Sequence, residues 1–162
     1  MKDTSLEIVN YLIANKLTLA VAESLTGGIV CSRICQVPGA SRVFLEGVVS
    51  YTNQSKISRL GVRKETLEKF TAVSIETAKE MAEGVCKNLG TDIGISTTGV
   101  AGPGAFDDDG NPRGLVYIGV AMGNSAWAYE YQIEGSRDYI RNKASDICLD
   151  KLFETINERE KL

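Results

Sequence analysis

The stretch Ala22-Glu23-Ser24-Leu25-Thr26-Gly27-Gly28 decides the fold, because it joins two segments of different character. The apolar run of residues 17–22 before it predicts a buried strand, and residues 29–36 after it are compatible with a helix. Ser24 is thus predicted at a strand-to-helix junction, where unpaired amide N–H groups can bind an anion or an oxyanion. Taken alone, the stretch favours a simpler interpretation, in which Ser24 or Thr26 caps the helix.

Helices and strands are predicted to alternate on both sides of this junction. The predicted helices span residues 4–15, 26–36, 52–60, 64–69, 74–89 and 136–159, and the predicted strands span residues 17–22, 44–51, 92–97, 114–122 and 125–133. This order predicts a three-layer α/β/α sandwich with a mixed, mainly parallel sheet and a C-terminal antiparallel hairpin. No repeat or linker interrupts the chain, so residues 1–162 are expected to form a single domain.

The composition excludes several classes of function. The sequence has no histidine, which excludes a Ser-His-Asp or Cys-His mechanism within the chain and a zinc site built on imidazole. No cysteine pair has Cys-x-x-Cys spacing, and the net charge of −3 gives no indication of nucleic-acid binding. No apolar run is long enough to cross a bilayer. We therefore expect neither a membrane partner nor, given the net charge, a nucleic-acid partner. A cytoplasmic location is expected.

A second glycine-rich loop, residues 98–104, follows the predicted strand at residues 92–97. If this strand and the first one are parallel, their loops open on the same edge of the sheet, where ligands bind in α/β proteins. Neither loop has a nucleotide-binding fingerprint. Glycine is also common in ordinary turns, so this loop alone is weak support for a site.

Tyr51 and Lys56 follow the predicted strand at residues 44–51 and would reach the edge that carries Ser24. A serine hydroxyl needs a base, and without histidine the main candidate is a lysine whose amine is kept neutral by burial or by its neighbours. A tyrosine hydroxyl can relay the proton or hold the lysine. Spacing alone favours the simpler interpretation, in which the lysine is solvated and the tyrosine is packed.

Together these segments resemble the CinA carboxy-terminal domain family. Residues 22–28 are similar to its Ala-Glu-Ser-Cys-Thr-Gly-Gly signature, with Leu25 in place of cysteine. Residues 47–56 resemble its Gly-Val-Val-x-Tyr-Ser-Asn-x-x-Lys segment, and residues 98–103 resemble its Ser/Thr-Gly-Ile-Ala-Gly-Pro loop. Ala72-Val73-Ser74 and the start of the last helix also fit, so the resemblance covers nearly the whole chain.

The resemblance implies an amidohydrolase that converts nicotinamide mononucleotide to nicotinic acid mononucleotide and ammonia. It implies that Ser24 is the nucleophile and that Lys56 takes its proton, directly or through Tyr51. No metal or cofactor is implied. Many family members carry a further N-terminal domain, so the chain is either a standalone amidase or an excised domain.

Substrate binding is expected from three parts of the sequence. Thr26, Gly27 and Gly28 are expected to let the substrate approach and to offer amides to the oxyanion, as are the loop residues Gly99, Ala101 and Gly102. Arg137 and Arg141, one turn apart on the last predicted helix, are candidates to hold the substrate phosphate. The acidic residues 107–109 are compatible with a cation site, but a solvated loop is the favoured interpretation.

Two other functions stay open at this point. One is a noncatalytic nucleotide-binding or regulatory module, and the other is a Ser-Lys hydrolase that acts on a different small amide. A small-molecule nucleotide is the expected partner under the amidase hypothesis, and a homo-oligomer is expected.

Overall fold

The computed structural model describes residues 4–159, which form five strands and six α-helices. The strands are β1 Leu19–Glu23, β2 Phe44–Val49, β3 Ile93–Gly99, β4 Leu115–Met122 and β5 Ser125–Gln132. The helices are α1 Thr4–Asn15, α2 Ile29–Cys35, α3 Asn53–Leu60, α4 Lys64–Phe70, α5 Ile75–Leu89 and α6 Arg137–Arg159. The first three and last three residues of the predicted 1–162 domain lie outside the described residues.

The five strands form one mixed sheet in the order β2-β1-β3-β4-β5. β1 pairs in parallel with β2 and with β3, whereas β4 is antiparallel to both β3 and β5. The carboxyl ends of β1, β2 and β3 therefore meet at one edge of the sheet. This arrangement confirms the predicted mixed sheet and its antiparallel hairpin.

Helices cover both faces of the sheet because β1 alternates between two apolar surfaces. Leu19 and Val21 belong to a core that also contains residues of α1, α2 and α6. Ala20 and Ala22 point to the opposite face, where they pack with residues of α3, α4 and α5. Each face of the sheet thus removes apolar side chains from water, which is the main driving force for this layered arrangement.

Several predicted boundaries differ from the structure at the edge where the site lies, and β1 and β3 run one and two residues further than predicted, to Glu23 and Gly99. The helix predicted from residue 26 begins at Ile29, because Gly27 and Gly28 adopt φ values of 57° and 104°, outside the helical region. The strand predicted to end at Tyr51 ends at Val49. The segments after β1 and β2 are thus irregular, which leaves their side chains available to a cavity.

Within residues 4–159, no helix is both long enough and apolar enough to span a bilayer.

Candidate active site

A cavity of about 370 Å³ opens at the carboxyl ends of β1, β2 and β3, and its size lies within the range of small-molecule sites. Seven of the residues predicted from sequence line it: Ser24, Tyr51, Lys56, Gly99, Ala101, Gly102 and Arg137. The other four do not line it: Thr26, Gly27, Gly28 and Arg141.

Ser24 and Lys56 are in direct contact. The side-chain nitrogen of Lys56, Nζ, lies 3.1 Å from the Ser24 Oγ, which is within hydrogen-bond distance. The Ser24 amide donates to the Thr97 carbonyl at 3.0 Å, so Ser24 continues the β1–β3 pairing by one residue. The two atoms meet as the sequence predicts, and the chemical role of the pair stays a prediction.

The local sequence explains why Lys56 reaches this position. The Thr52 side chain accepts a hydrogen bond from the Ser55 amide and so begins α3, which places Lys56 in its first turns. The same Nζ donates to the Ser50 carbonyl at 3.0 Å, and the Ser50 amide donates to the Glu23 carbonyl at 2.9 Å. The lysine is therefore held between the end of β1 and the segment that follows β2.

Burial changes the acid–base behaviour of Lys56. Its side chain is only 1% exposed, and loss of hydration lowers its pKa from 10.5 to about 8. Both hydrogen bonds that Nζ makes within residues 4–159 go to neutral oxygens, of Ser24 and Ser50. The neutral amine, which can accept a proton, is thus well populated at mildly alkaline pH.

Tyr51 lies at the cavity mouth and is 57% exposed. Its hydroxyl accepts a hydrogen bond from Arg137 Nη2 at 3.0 Å, and the other arm of that guanidinium donates to the Gly102 carbonyl. Because Ser24 and Lys56 are in direct contact, a proton can also pass between them without Tyr51. The catalytic role predicted for Tyr51 stays a prediction.

Thr26, Gly27 and Gly28 shape the turn after Ser24 rather than line the cavity. Thr26 is fully buried, and its hydroxyl is 2.7 Å from that of Thr97. A side chain on Gly27 would combine a positive φ with a contact of 3.1 Å to the Arg141 guanidinium. The N-cap residue of α2 is Gly28, and the amides of Gly28, Val30 and Cys31 donate to the Glu23 carboxylate rather than to Ser24 or Thr26. The capping interpretation of Ser24 and Thr26 is therefore wrong.

Arg141 faces this turn from α6. Its Nε donates to the Leu25 carbonyl at 2.9 Å, and its Nη2 lies 3.3 Å from the Thr26 carbonyl. These contacts hold the guanidinium against the backbone, away from the cavity lining. Of the two arginines predicted to hold a phosphate, only Arg137 is at the cavity.

The sequence of the chain matches that of a known protein family. The family described as the CinA C-terminal domain matches residues 1–156, which is almost the whole chain. The chain belongs to the CinA C-terminal domain family. The family resemblance inferred from the motifs is therefore confirmed at this level.

Relatives within the CinA family are close in sequence and in structure. The chain is 53% identical over 152 residues to a competence-damage inducible protein of Clostridium botulinum strain Langeland, which covers 93% of this chain and 37% of that protein. A CinA-like protein of Kosmotoga olearia is 50% identical over 143 residues, 88% of this chain and 34% of its own length. The chain thus spans about a third of the length of these curated relatives.

Solved structures of CinA proteins share the fold. The competence damage-inducible protein A of Klebsiella pneumoniae matches with a TM-score of 0.92 and 30% identity over 96% of both chains. The competence/damage inducible protein of Agrobacterium tumefaciens matches with a TM-score of 0.84 and 32% identity, over 95% of this chain and 96% of that one.

Sequence reasoning missed two features of this CinA site. Glu23 carries a fully buried carboxylate directly before Ser24, and its place in the signature was the available signal. Asp107 and Asp108 also line the cavity, which the interpretation as a solvated loop did not include, although Asp108 is exposed as that interpretation requires. Asp107 also accepts hydrogen bonds from the Asp109 and Asn111 amides, so its loop is internally ordered.

Within residues 4–159, no group of three or more cysteine, aspartate or glutamate side chains is placed to hold a metal ion.

Proposed function

We propose that the chain hydrolyses the carboxamide of nicotinamide mononucleotide to give nicotinic acid mononucleotide and ammonia. The observation that carries the proposal is the contact between the Ser24 Oγ and the buried Lys56 Nζ, at 3.1 Å. A nucleophile and its base within hydrogen-bond reach are the minimum requirement for covalent amide hydrolysis. The substrate itself is the one implied by the family resemblance.

The first half of the reaction forms an acyl-enzyme. Neutral Lys56 takes the Ser24 proton while the Ser24 Oγ bonds to the carboxamide carbon, and the carbonyl electron pair moves to oxygen. When that pair returns, the carbon–nitrogen bond breaks. The Lys56 ammonium returns its proton to the leaving nitrogen, and ammonia departs.

The second half releases the acid. Lys56, neutral again, takes a proton from water, whose oxygen attacks the acyl carbon. Collapse of the tetrahedral intermediate breaks the bond to the Ser24 Oγ, which recovers its proton from Lys56. One water is consumed, and the serine and lysine return to their starting states.

Charged groups at the cavity match a nucleotide with a cationic ring and an anionic phosphate. Arg137 at the mouth supplies a guanidinium with the planar geometry that suits phosphate. Asp107 and Asp108 bring negative charge to the same cavity, where a pyridinium ring would be favoured. The exposed ring of Phe106 lies among them and offers a surface for stacking.

The proposed reaction is tested by incubating the chain with nicotinamide mononucleotide and measuring ammonia and nicotinic acid mononucleotide. Equal amounts of the two products are expected. A panel containing nicotinamide, nicotinamide riboside, glutamine and asparagine separates this substrate from other small amides. Thermal stabilisation by the nucleotide without ammonia release would contradict the amidase and favour a binding module.

Replacing Arg137 with glutamine is expected to raise the KM for nicotinamide mononucleotide by about tenfold to a hundredfold, the usual cost of a lost charge-assisted hydrogen bond. The KM for nicotinamide riboside, which lacks the phosphate, should change much less. Initial rates with both substrates measure the effect. Arg59→Gln, on an exposed arginine outside the cavity lining, is the control. An equal KM increase for both substrates would show that Arg137 does not bind the phosphate.

A further inference from the structure

Glu23 is the last residue of β1 and directly precedes Ser24, and its side chain has no exposed surface. Its carboxylate accepts three backbone hydrogen bonds, from the amides of Gly28 at 2.9 Å, Val30 at 3.2 Å and Cys31 at 2.8 Å. A buried carboxylate is tolerated only when such donors replace water. The start of α2 supplies them, together with the positive end of its helix dipole.

These bonds change which amides are available to an oxyanion. The Gly28 amide, which the sequence offered for this purpose, donates to Glu23, and the Gly27 amide donates to the Ser24 carbonyl at 3.1 Å. Two of the three amides expected from the signature are thus already engaged. The start of α2 binds an anion, but that anion is the protein's own carboxylate.

The amide of Leu25, unlike those of Gly27 and Gly28, is not engaged in a hydrogen bond of the turn. The Ser24 carbonyl points into the turn toward the Gly27 amide. In a planar trans peptide the N–H points away from the C=O, so the Leu25 N–H points out of the turn. Within residues 4–159, no acceptor is found for this N–H.

Leu25 borders both the apolar core and the cavity. Its side chain is 4% exposed and belongs to the apolar core, yet Leu25 lines the cavity together with Ser24. An N–H of the residue after a nucleophilic serine is one of the positions from which an oxyanion can be stabilised. Thr26, the next residue, does not line the cavity.

We infer that Glu23 is a positioning residue, whose carboxylate fixes the turn after Ser24 so that the Leu25 amide is left free to bind the oxyanion. Arg141 holds the same turn from the other side through the Leu25 and Thr26 carbonyls. The amides are thus anchored by an anion and the carbonyls by a cation. The inference rests on the proposed function in one respect: it requires that Ser24 attacks a carbonyl group. It does not require that the substrate is nicotinamide mononucleotide.

The variant Glu23→Gln tests the inference by kinetics. It keeps the shape of the side chain but places an N–H donor against backbone N–H groups. We expect kcat to fall by about tenfold to a hundredfold, because small displacements of an oxyanion donor are costly. The KM should stay within about threefold, and the pH midpoint should not move because Lys56 is untouched. An unchanged kcat in a folded variant would overturn the inference.

Glu80→Gln is the matched control. The Glu80 carboxylate also accepts from a backbone amide, that of Arg63 at 2.8 Å, and from the Arg63 guanidinium and the Thr66 hydroxyl. Glu80 lies outside the cavity lining. Its substitution makes the same change in charge and is expected to leave kcat unchanged.

A crystal structure of the wild-type chain with pyridine-3-carbaldehyde tests the same point even if Glu23→Gln does not fold. The Ser24 Oγ adds to the aldehyde carbon, the carbonyl pair moves to oxygen, the serine proton passes to Lys56, and no group leaves. The inference requires that oxygen to lie within about 3.2 Å of the Leu25 amide nitrogen. An oxygen bound by the Gly28 or Cys31 amide, or no adduct on Ser24, would overturn it.

The adduct also separates this inference from the proposed substrate. If the wild type forms the adduct with its oxygen on the Leu25 amide but releases no ammonia from nicotinamide mononucleotide, the substrate is wrong and the inference is supported. If ammonia is released but the oxygen lies elsewhere, the proposed function is supported and the inference is overturned.

Discussion

Ser24→Ala is expected to lower the kcat for ammonia release by roughly 10⁴- to 10⁶-fold, the range found when a serine nucleophile is removed. Without the Oγ no acyl-enzyme can form, and the remaining cavity can only bind and orient the substrate. Lys56 keeps its bond to the Ser50 carbonyl, so the site should stay assembled. The Kd for nicotinamide mononucleotide, measured by titration calorimetry, should therefore change by less than about threefold.

The matched control for this variant is Ser58→Ala. Ser58 is an exposed serine on α3, outside the cavity lining, and its substitution should leave kcat unchanged. Mass spectrometry adds a second readout, because the wild type quenched during turnover should carry an acyl group on Ser24. Ammonia release that survives Ser24→Ala would exclude the covalent mechanism.

Lys56→Met should have the second largest effect on activity. It should lower kcat but raise the stability of the fold. Loss of the general base should lower kcat by about 10²- to 10⁴-fold. Methionine fills a similar volume without a charge to bury, so the free energy of unfolding at pH 7 should rise, by up to about 3 kcal/mol. Part of this gain is offset because the Ser24 hydroxyl and the Ser50 carbonyl lose a partner.

The stability gain from Lys56→Met should be large at neutral pH and small at alkaline pH. Burial lowers the Lys56 pKa to about 8 in the folded chain, against 10.5 for an ordinary lysine. Folding therefore disfavours the charged form of Lys56. Below about pH 8, where the lysine is charged in the folded chain, this lowers the free energy of unfolding of the wild type. This cost falls between pH 8 and 10.5 and disappears above that range. Urea unfolding should thus show a large difference between Lys56→Met and wild type at pH 7 and a small one at pH 10.5.

The same pKa predicts that the kcat/KM of the wild type rises about tenfold between pH 7 and pH 9, as the neutral amine becomes the main form. Lys64→Met is the control, since Lys64 is an exposed lysine at the start of α4. It should have wild-type activity at every pH and a stability difference that does not vary in this way. A flat pH profile for the wild type would argue against Lys56 as the base.

Local sequence patterns predicted most of the fold. The Ser74 cap and Gly90 delimit α5 because capping and a left-handed terminus depend on residues next to each other in the chain. The alternation of apolar strands with amphipathic helices predicted the mixed sheet, since burial requires each apolar face to be covered. The end of β2 was placed two residues too late, because pairing between strands is decided by neighbours distant in sequence.

For the site, the sequence by itself determined which chemistry was available. The absence of histidine left lysine as the main candidate base, and the family motifs named Ser24 and Lys56. Only the tertiary structure brought those two atoms to 3.1 Å and buried the lysine. A lowered lysine pKa is a property of the surrounding packing, which no local pattern contains.

The stretch around Ser24 shows the same division most clearly. Its composition predicted a serine at a strand-to-helix junction, and that position is observed. The assignment of its hydrogen bonds came only from the fold, because Glu23 takes the amides of α2 and Arg141, 116 residues after Leu25, takes the carbonyls. Hydrogen-bond partners are chosen by proximity in space, so the sequence gives the donors and acceptors while the packed structure pairs them.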